Sequence, residues 1–201
     1  LIALIPVVTF YLLLDWDELV LKLRHLLPRK YEPKLVALAE ECDSVLAAFL
    51  RGQLLVMMAL GLIYGIGLQL VGIKLAMVIG LVAGLASIIP YFGFILGIVT
   101  ASFVALFQFG LFIKPLLLVW SVFAIGQLIE SWILQPWLVG DRIGLPPVGV
   151  IFAIMAGGQL FGFFGMLLAL PVAAIIVVLL RHAQKRYLSS HWYHGGEPPL
   201  V

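Results

Sequence analysis

The chain has 201 residues, 64% of them hydrophobic and 11% charged, with a formal net charge of +2 and a mean hydropathy of +1.19. Soluble domains run near 45–50% apolar and about 25% charged, so this composition excludes an ordinary soluble domain and indicates an integral membrane protein. The small net charge argues against a nucleic-acid partner, and a single cysteine, Cys42, excludes an intrachain disulfide or a cysteine-based metal cluster.

The chain opens on LIALIPVVTFYLLLD. Residues 1–14 are apolar but too few to cross a bilayer unaided. They carry neither the basic region nor the small-residue cleavage site of a signal peptide. They read as the second half of a transmembrane helix, and the chain as a C-terminal fragment of a longer membrane protein.

Residues 15–51 hold six basic and seven acidic side chains, leaving nine charges for all the rest. In WDELVLKLRHLL, residues 16–27, Leu19, Leu23, Leu26 and Leu27 share one helical face, and Glu18, Lys22 and Arg24 lie largely off it. Pro28 ends that helix. A second is expected from about Pro33, with Leu35, Leu38, Cys42 and Leu46 inward and Glu40, Glu41 and Asp43 outward. The pair reads as an amphipathic segment at the membrane surface. A small soluble hairpin packed on the membrane domain has the same periodicity.

Three uncharged runs follow: 22 residues at 52–73, 39 at 75–113 and 38 at 143–180. The first is one spanning helix. A straight helix of 38 residues would be about 57 Å long, against a hydrocarbon core of about 30 Å. Each long run must therefore turn back or re-enter. In the first, a helix over 75–89 is expected to stop at Pro90 and another to run from Phe94 to Phe109. Lys114 and Pro115 open the next helix, ending at Pro136. After the turn PWLVGDRIGLPP, a helix from Val148 reaches Gly157-Gly158, and another runs from Gln159, through Pro171, to Arg181. Gly61/Gly65, Gly80/Gly84, Gly93/Gly97 and Gly158/Gly162 have the small-x-x-x-small spacing of close helix packing. Arg181, Lys185 and Arg186 lack nearby acids, which places the tail, 184–201, in the cytoplasm; that tail is expected to be disordered. The fold class is all-α: a polytopic helical membrane protein with broken or re-entrant helical hairpins.

Broken backbone at membrane depth must be covered by protein or by a water-filled cavity, and paired broken segments line the substrate site in transporters. Ser87, Pro90, Tyr91 and Gly93 in one break, and Gly157, Gly158 and Gln159 in the other, are the candidate pathway residues. A plain helical hairpin with Pro90 in its turn, or a healed proline kink, is the structural alternative. Gln127, Glu130, Ser131 and Gln135 fall within an arc of about 140° on one helix at 100° per residue. Glu130 lies 16 residues beyond Lys114, about 24 Å along the helix, hence nearer an interface than the centre. It is either a pathway or coupling carboxylate or the structural partner of Arg142 or Lys114. Asp141 and Arg142 suit a local ion pair in their turn. His191 and His194 lack a third metal ligand. No enzyme motif, metal site or cofactor site is expected.

Several stretches together, PVVTFYLLLD, FLRGQLLV, GLASIIPYFGFILG, IESWILQPWLVGDRIGLPP and GGQLFGFFGMLLALPVAA, resemble the autoinducer-2 exporter family, or PerM-like permeases. The resemblance covers almost the whole chain in order. Its motif positions are Arg51, Gly52, Gln53, Pro90, Tyr91, Gly93, Glu130, Pro136, Gly140, Gly157, Gly158, Gly162, Gly165 and Pro171. Ser131-Trp132 departs from the small polar residues expected after Glu130. The resemblance implies a multi-pass bacterial inner-membrane protein of about eight helices, and a homo-oligomer for which a pentamer is one candidate. It also implies secondary export of a small polar solute of the autoinducer-2 kind. The expected organisation is a truncated helix at 1–14, the amphipathic segment at 15–51 and a transport domain at 52–183, in contact with membrane lipids and coupled to a proton or sodium ion. A sodium–proton antiporter, and a non-transporting scaffold for cell-envelope partners, are the alternatives.

Overall fold

The computed structural model describes residues 4–139 and 146–188. Among them are seven α-helices and one π-helical stretch, with no strand. The chain divides into two compact units, Leu1–Asp43 and Ser44–Val201.

In the first unit, α1 (Leu4–Leu14) and α2 (Trp16–His25) are followed by the start of α3 (Glu32–Val71). No residue of α1 or α2 is buried. Leu19 and Leu23 remain exposed on the predicted apolar face of α2. The turn after Pro28 is closed by Arg24, whose Nε lies 2.8 Å from Glu32 Oε1. Lys22 pairs with Glu18 one turn away at 2.8 Å. Exposed pairs of this kind contribute little stability, so they fix local geometry rather than hold a core. The two helices expected on either side of Arg51 are one: α3 runs for 40 residues without interruption. Nothing at Arg51-Gly52 forces a break, because Gly in a helix interior costs only about 1 kcal/mol and Gly52 is buried.

In the second unit, α3 presents two adjacent stripes at a spacing of four, which place residues on one helical face. Val56, Leu60, Tyr64 and Leu68 are wholly buried and form the large-residue stripe. Gln53, Met57, Gly61 and Gly65 form the other, also buried. The glycine stripe receives α4 (Ala76–Ala86). A Cβ on Gly84 would lie 2.5 Å from Gly61 Cα and 2.6 Å from the Met57 carbonyl oxygen. A Cβ on Gly80 would strike the backbone of Gly65. The two Gly-x-x-x-Gly motifs thus pack on each other, backbone to backbone, with α3 and α4 antiparallel.

α5 (Phe92–Phe109) returns antiparallel to α4, and α6 (Ile113–Ile129) antiparallel to α5. Phe123 of α6 is the hub: its ring lies 4.5 Å from that of Tyr64 and 6.3 Å from that of Phe94. The open end of the α4–α5 hairpin is sealed by Gln108, which donates from Nε2 to the Gly72 carbonyl at 2.7 Å and accepts from the Lys74 amide at 3.0 Å. The amide side chain there replaces the partners that a helix end leaves unpaired.

α6 does not stop at Pro136. It continues in π form over Glu130–Val139, with Pro136 inside it. The π pattern joins residues five apart, so a proline perturbs a different set of bonds from those it would break in an α-helix. The last described helix, α7 (Pro147–Leu188), is folded in two at Gly162, which has φ 62° and ψ −142°. Gly157 and Gly165 are packed carbonyl against Cα, and a Cβ on Gly157 would lie 3.2 Å from Ala169 Cβ. In a straight helix residues 157 and 169 would be about 18 Å apart, so the arms must lie side by side. The 143–180 run therefore does turn back. Its break is at Gly162, though, and Gly157, Gly158 and Gln159 are helical residues of the first arm. Among the described residues, four helices are long and apolar enough to cross a membrane: α3, α5, α6 with its π extension, and α7.

Candidate functional site

The first break is built around buried amides and hydroxyls. α4 ends at Ser87, and Tyr91 takes the left-handed conformation, φ 66°, uncommon for any residue but glycine, Asn or Asp. This leaves the Ser87 carbonyl outside any helical ladder, where lipid cannot satisfy it. Gln53 of α3 does: its Nε2 donates to Ser87 O at 2.8 Å. The Ser87 hydroxyl turns back to the Ala83 carbonyl at 3.0 Å. Gly93 fits because a Cβ there would collide with Ser87 Oγ and the Ala83 carbonyl. Ser87 and Gln53 are almost wholly buried, so they tie the turn down. Tyr91 is exposed and Pro90 half-buried. Gln53, 19 residues before Gly72, is about 28 Å from it along α3. The α4–α5 hairpin therefore reaches from the Lys74 end to the Arg51 end, close to a full hydrocarbon thickness.

The second group lies where α6 changes to π. Glu130 is 6% exposed, and Gln127 Nε2 donates to its Oε2 at 3.2 Å. Gln135 hydrogen-bonds the same carboxyl. The π form explains this partner: residues 130 and 135 are five apart, the π repeat, whereas an α-helix would set them about 140° apart. Ser131, expected on the same stripe, is exposed and turned away. Across the interface, Tyr64 of α3 is fully buried. A Cβ on Gly126 would meet its ring, 3.0 Å from Cζ. Sequence reasoning passed over Tyr64; its signal was a lone phenol in an uncharged span, one position before Gly65 of the glycine stripe. Tyr64 is 13 residues from Arg51 and 10 from Lys74, and Glu130 is one turn from Gly126. Measured along α3, Glu130 is therefore nearer the middle of the span than its distance from Lys114 suggested. Lys114 is about 24 Å away along the helix and cannot be its partner.

The third group is the α7 hairpin. Its arms enclose an open groove of about 610 Å³. Gly149 and Leu180 lie toward one end and Phe161 and Phe164 toward the other, with Gly157 and Gly165 between. None of its lining residues is charged or has a polar side chain. Gly158 packs on Met166, Gln159 is exposed, and Pro171 sits half-buried in the second arm. Among the described residues, no hydrogen bond joins the Ser87 group, the Glu130 group and this hairpin to one another. Arg51 is exposed and Pro136 lies in the π stretch. Gly140, Asp141, Arg142, His191 and His194 fall outside the described residues. Among the described residues, no group of acidic, histidine and cysteine side chains could hold a metal ion.

The described residues thus hold a buried carboxyl with amide partners in an apolar helical chain that also contains two helical hairpins. The chain is 34% identical over 180 residues to "Putative transport protein YrrI" of Bacillus subtilis, covering 90% of this chain and 50% of that protein. It is 28% identical over 182 residues to "Putative permease PerM" of Escherichia coli K12, covering 89% and 50%. A second Bacillus subtilis protein, "Putative transport protein YueF", is 29% identical over 177 residues, covering 87% and 47%. The chain thus spans about half the length of these relatives. No solved structure matches it. The family model described as AI-2E family transporter matches residues 1–185, and the chain belongs to that family.

Proposed function

We propose that this chain is part of a secondary transporter of the bacterial inner membrane that exports a small polar solute of the autoinducer-2 kind, working as a homo-oligomer. The observation that carries the reading is Glu130: a carboxyl buried in a chain of membrane-spanning helices and held by Gln127 and Gln135. Ionisable groups in such positions are expensive, and where they persist they commonly mark solute or ion pathways. An acid lodged at a change of helix type, with amide partners able to re-pair, suits a site that binds and releases in turn. The α4–α5 and α7 hairpins would supply the moving parts, with Pro90, Tyr91 and Gly93 at one turn and Gly162 at the other. Gly157 and Gly158 would let the arms of α7 slide at close contact. Ser87, Ser131, Gln135 and Gln159 are further positions at which the pathway is to be sought.

The test is flux from proteoliposomes loaded with autoinducer-2. Wild-type protein is expected to release it faster than empty vesicles, and Glu130→Gln to slow release at least about tenfold, the factor for about 1.4 kcal/mol of lost differential stabilisation. Equal flux for the two removes Glu130 from the mechanism. Flux no faster than that of empty vesicles rejects this solute. The buried carboxyl also fits a sodium–proton antiporter. That reading gains if a sodium gradient moves internal pH in the same vesicles and Glu130→Gln stops it.

A further inference from the structure

The polar group around Glu130 contains more hydrogen-bonding capacity than the chain itself satisfies. Tyr64 is wholly buried, yet its hydroxyl has no hydrogen-bonding partner among the described residues, and neither does Gln127 Oε1. Most buried polar atoms are paired, so two orphans in one place point to a ligand. Their positions agree. The Tyr64 ring lies 4.5 Å from that of Phe123 between centroids, and a Cβ on Gly126 would lie 3.0 Å from its Cζ. The hydroxyl is thereby held at the turn that leads to Gln127 and, three residues further, to Glu130. Tyr64 also lies close enough to Glu130 to feel its charge. No other charged residue occurs on α3 between Arg51 and Lys74 or on α6 between Lys114 and Glu130.

Counting donors and acceptors identifies what fits. The Tyr64 hydroxyl needs an acceptor, Gln127 Oε1 needs a donor, and the carboxylate accepts only. A direct Tyr64–Glu130 bond would leave Gln127 Oε1 unpaired. A bare monovalent cation would leave the Tyr64 proton without an acceptor. One water accepts from Tyr64 and donates to both Gln127 Oε1 and Glu130, making three bonds, the usual number for a buried water. We propose that Tyr64 is a positioning residue for the Glu130 carboxyl, acting through a single buried water shared by Tyr64 Oη, Gln127 Oε1 and Glu130.

The proposal rests on the same carboxyl as the transport reading, and its test avoids transport so that the two can fail separately. Purified protein in lipid nanodiscs is compared as wild type, Tyr64→Phe, Glu130→Gln and the double variant. The infrared carboxyl band that Glu130→Gln removes is expected to be displaced in Tyr64→Phe and unmoved in Tyr91→Phe, whose exposed hydroxyl serves as control. Tyr64→Phe is expected to lower the melting temperature by a few degrees, because it removes a bonded hydroxyl. In the double variant the fall is expected to be smaller than the sum of the two single falls, since both act on one water. A band unmoved by Tyr64→Phe overturns the proposal. So does a melting temperature that is unchanged or raised, the result expected of a hydroxyl bonded to nothing, and so does simple additivity. If Glu130→Gln abolishes flux while the band stays fixed in Tyr64→Phe, the transport reading stands and this one falls.

Discussion

Gln53 reaches across from α3 to hydrogen-bond the carbonyl of Ser87 at 2.8 Å, joining residues 34 apart in the chain at a site closed to solvent. The contact satisfies a carbonyl that the end of α4 leaves unpaired, and it ties the first hairpin turn to α3. Replacing Gln53 with Leu keeps the bulk and removes the donor. A buried acceptor left unpaired costs about 1–3 kcal/mol, so Gln53→Leu is expected to lower the melting temperature in nanodiscs. Gln69→Leu, at an exposed position of the same helix, is expected to change stability by no more than about 0.5 kcal/mol. Equal effects would show that the Ser87 carbonyl is satisfied in some other way.

The glycine contact between α3 and α4 is asymmetric, and the two sides should respond differently to a methyl group. A methyl on Gly84 would lie 2.5 Å from the Gly61 backbone, where neither helix can yield cheaply. Overpacking of that kind costs about 1–3 kcal/mol. A methyl on Gly61 would find its nearest neighbour, the Gly80 carbonyl oxygen, at 3.6 Å, an ordinary contact, and would gain up to about 1 kcal/mol of helix propensity. Gly84→Ala should destabilise, and Gly61→Ala should be neutral or stabilising. Thermal unfolding of the two variants side by side decides it.

The folding of α7 on itself can be checked by cross-linking. A Cβ on Gly158 would sit 3.1 Å from Met166 Cγ, whereas a straight helix would separate these residues by about 12 Å. Disulfides need Cα atoms within about 7 Å. With Cys42→Ser as background, the pair Gly158→Cys and Met166→Cys should form an intramolecular disulfide, detected by mass spectrometry of the digested monomer. Absence of the link under oxidising conditions would mean that α7 is not folded at Gly162.

A Cβ added at Gly162 would meet nothing within 4 Å, so space does not select glycine there. Its backbone does: φ 62° with ψ −142° is close to a region open essentially to glycine alone, and holding another residue in such a conformation costs about 1–3 kcal/mol. Gly162→Ala is expected to reduce the yield of the 158–166 disulfide and to lower the melting temperature. Gly165→Ala should be at least as harmful for a different reason, since its methyl would overlap the Gly157 carbonyl.

Much of this was legible in the chain. Charge spacing and length required a membrane protein whose two long apolar runs reverse, because no straight helix of 38 residues fits within a bilayer. The helix at 16–25 and the turn between Ser87 and Gly93 follow from local pattern, the small-residue spacings signalled close packing without saying which pairs meet, and the family resemblance followed from motif order. Other features depend on partners remote in sequence. A helical glycine pair such as Gly157-Gly158 looks like a break until Gly165 and Ala169 are packed against it. The actual break at Gly162 is set by one backbone conformation that periodicity cannot report. Glu130 was visible as a lone acid, but α-helical spacing grouped it with Ser131. The π register instead turns Gln135 toward it and Ser131 away. Tyr64 was visible only as a lone phenol in an uncharged span, a signal that gains meaning once a second helix packs Gly126 against its ring. The sequence by itself determined that the chain lies in a membrane and must double back, since those depend on summed hydrophobicity and length. Which polar atoms meet inside it was decided only by the tertiary structure, since hydrogen-bond pairing depends on where separate helices touch.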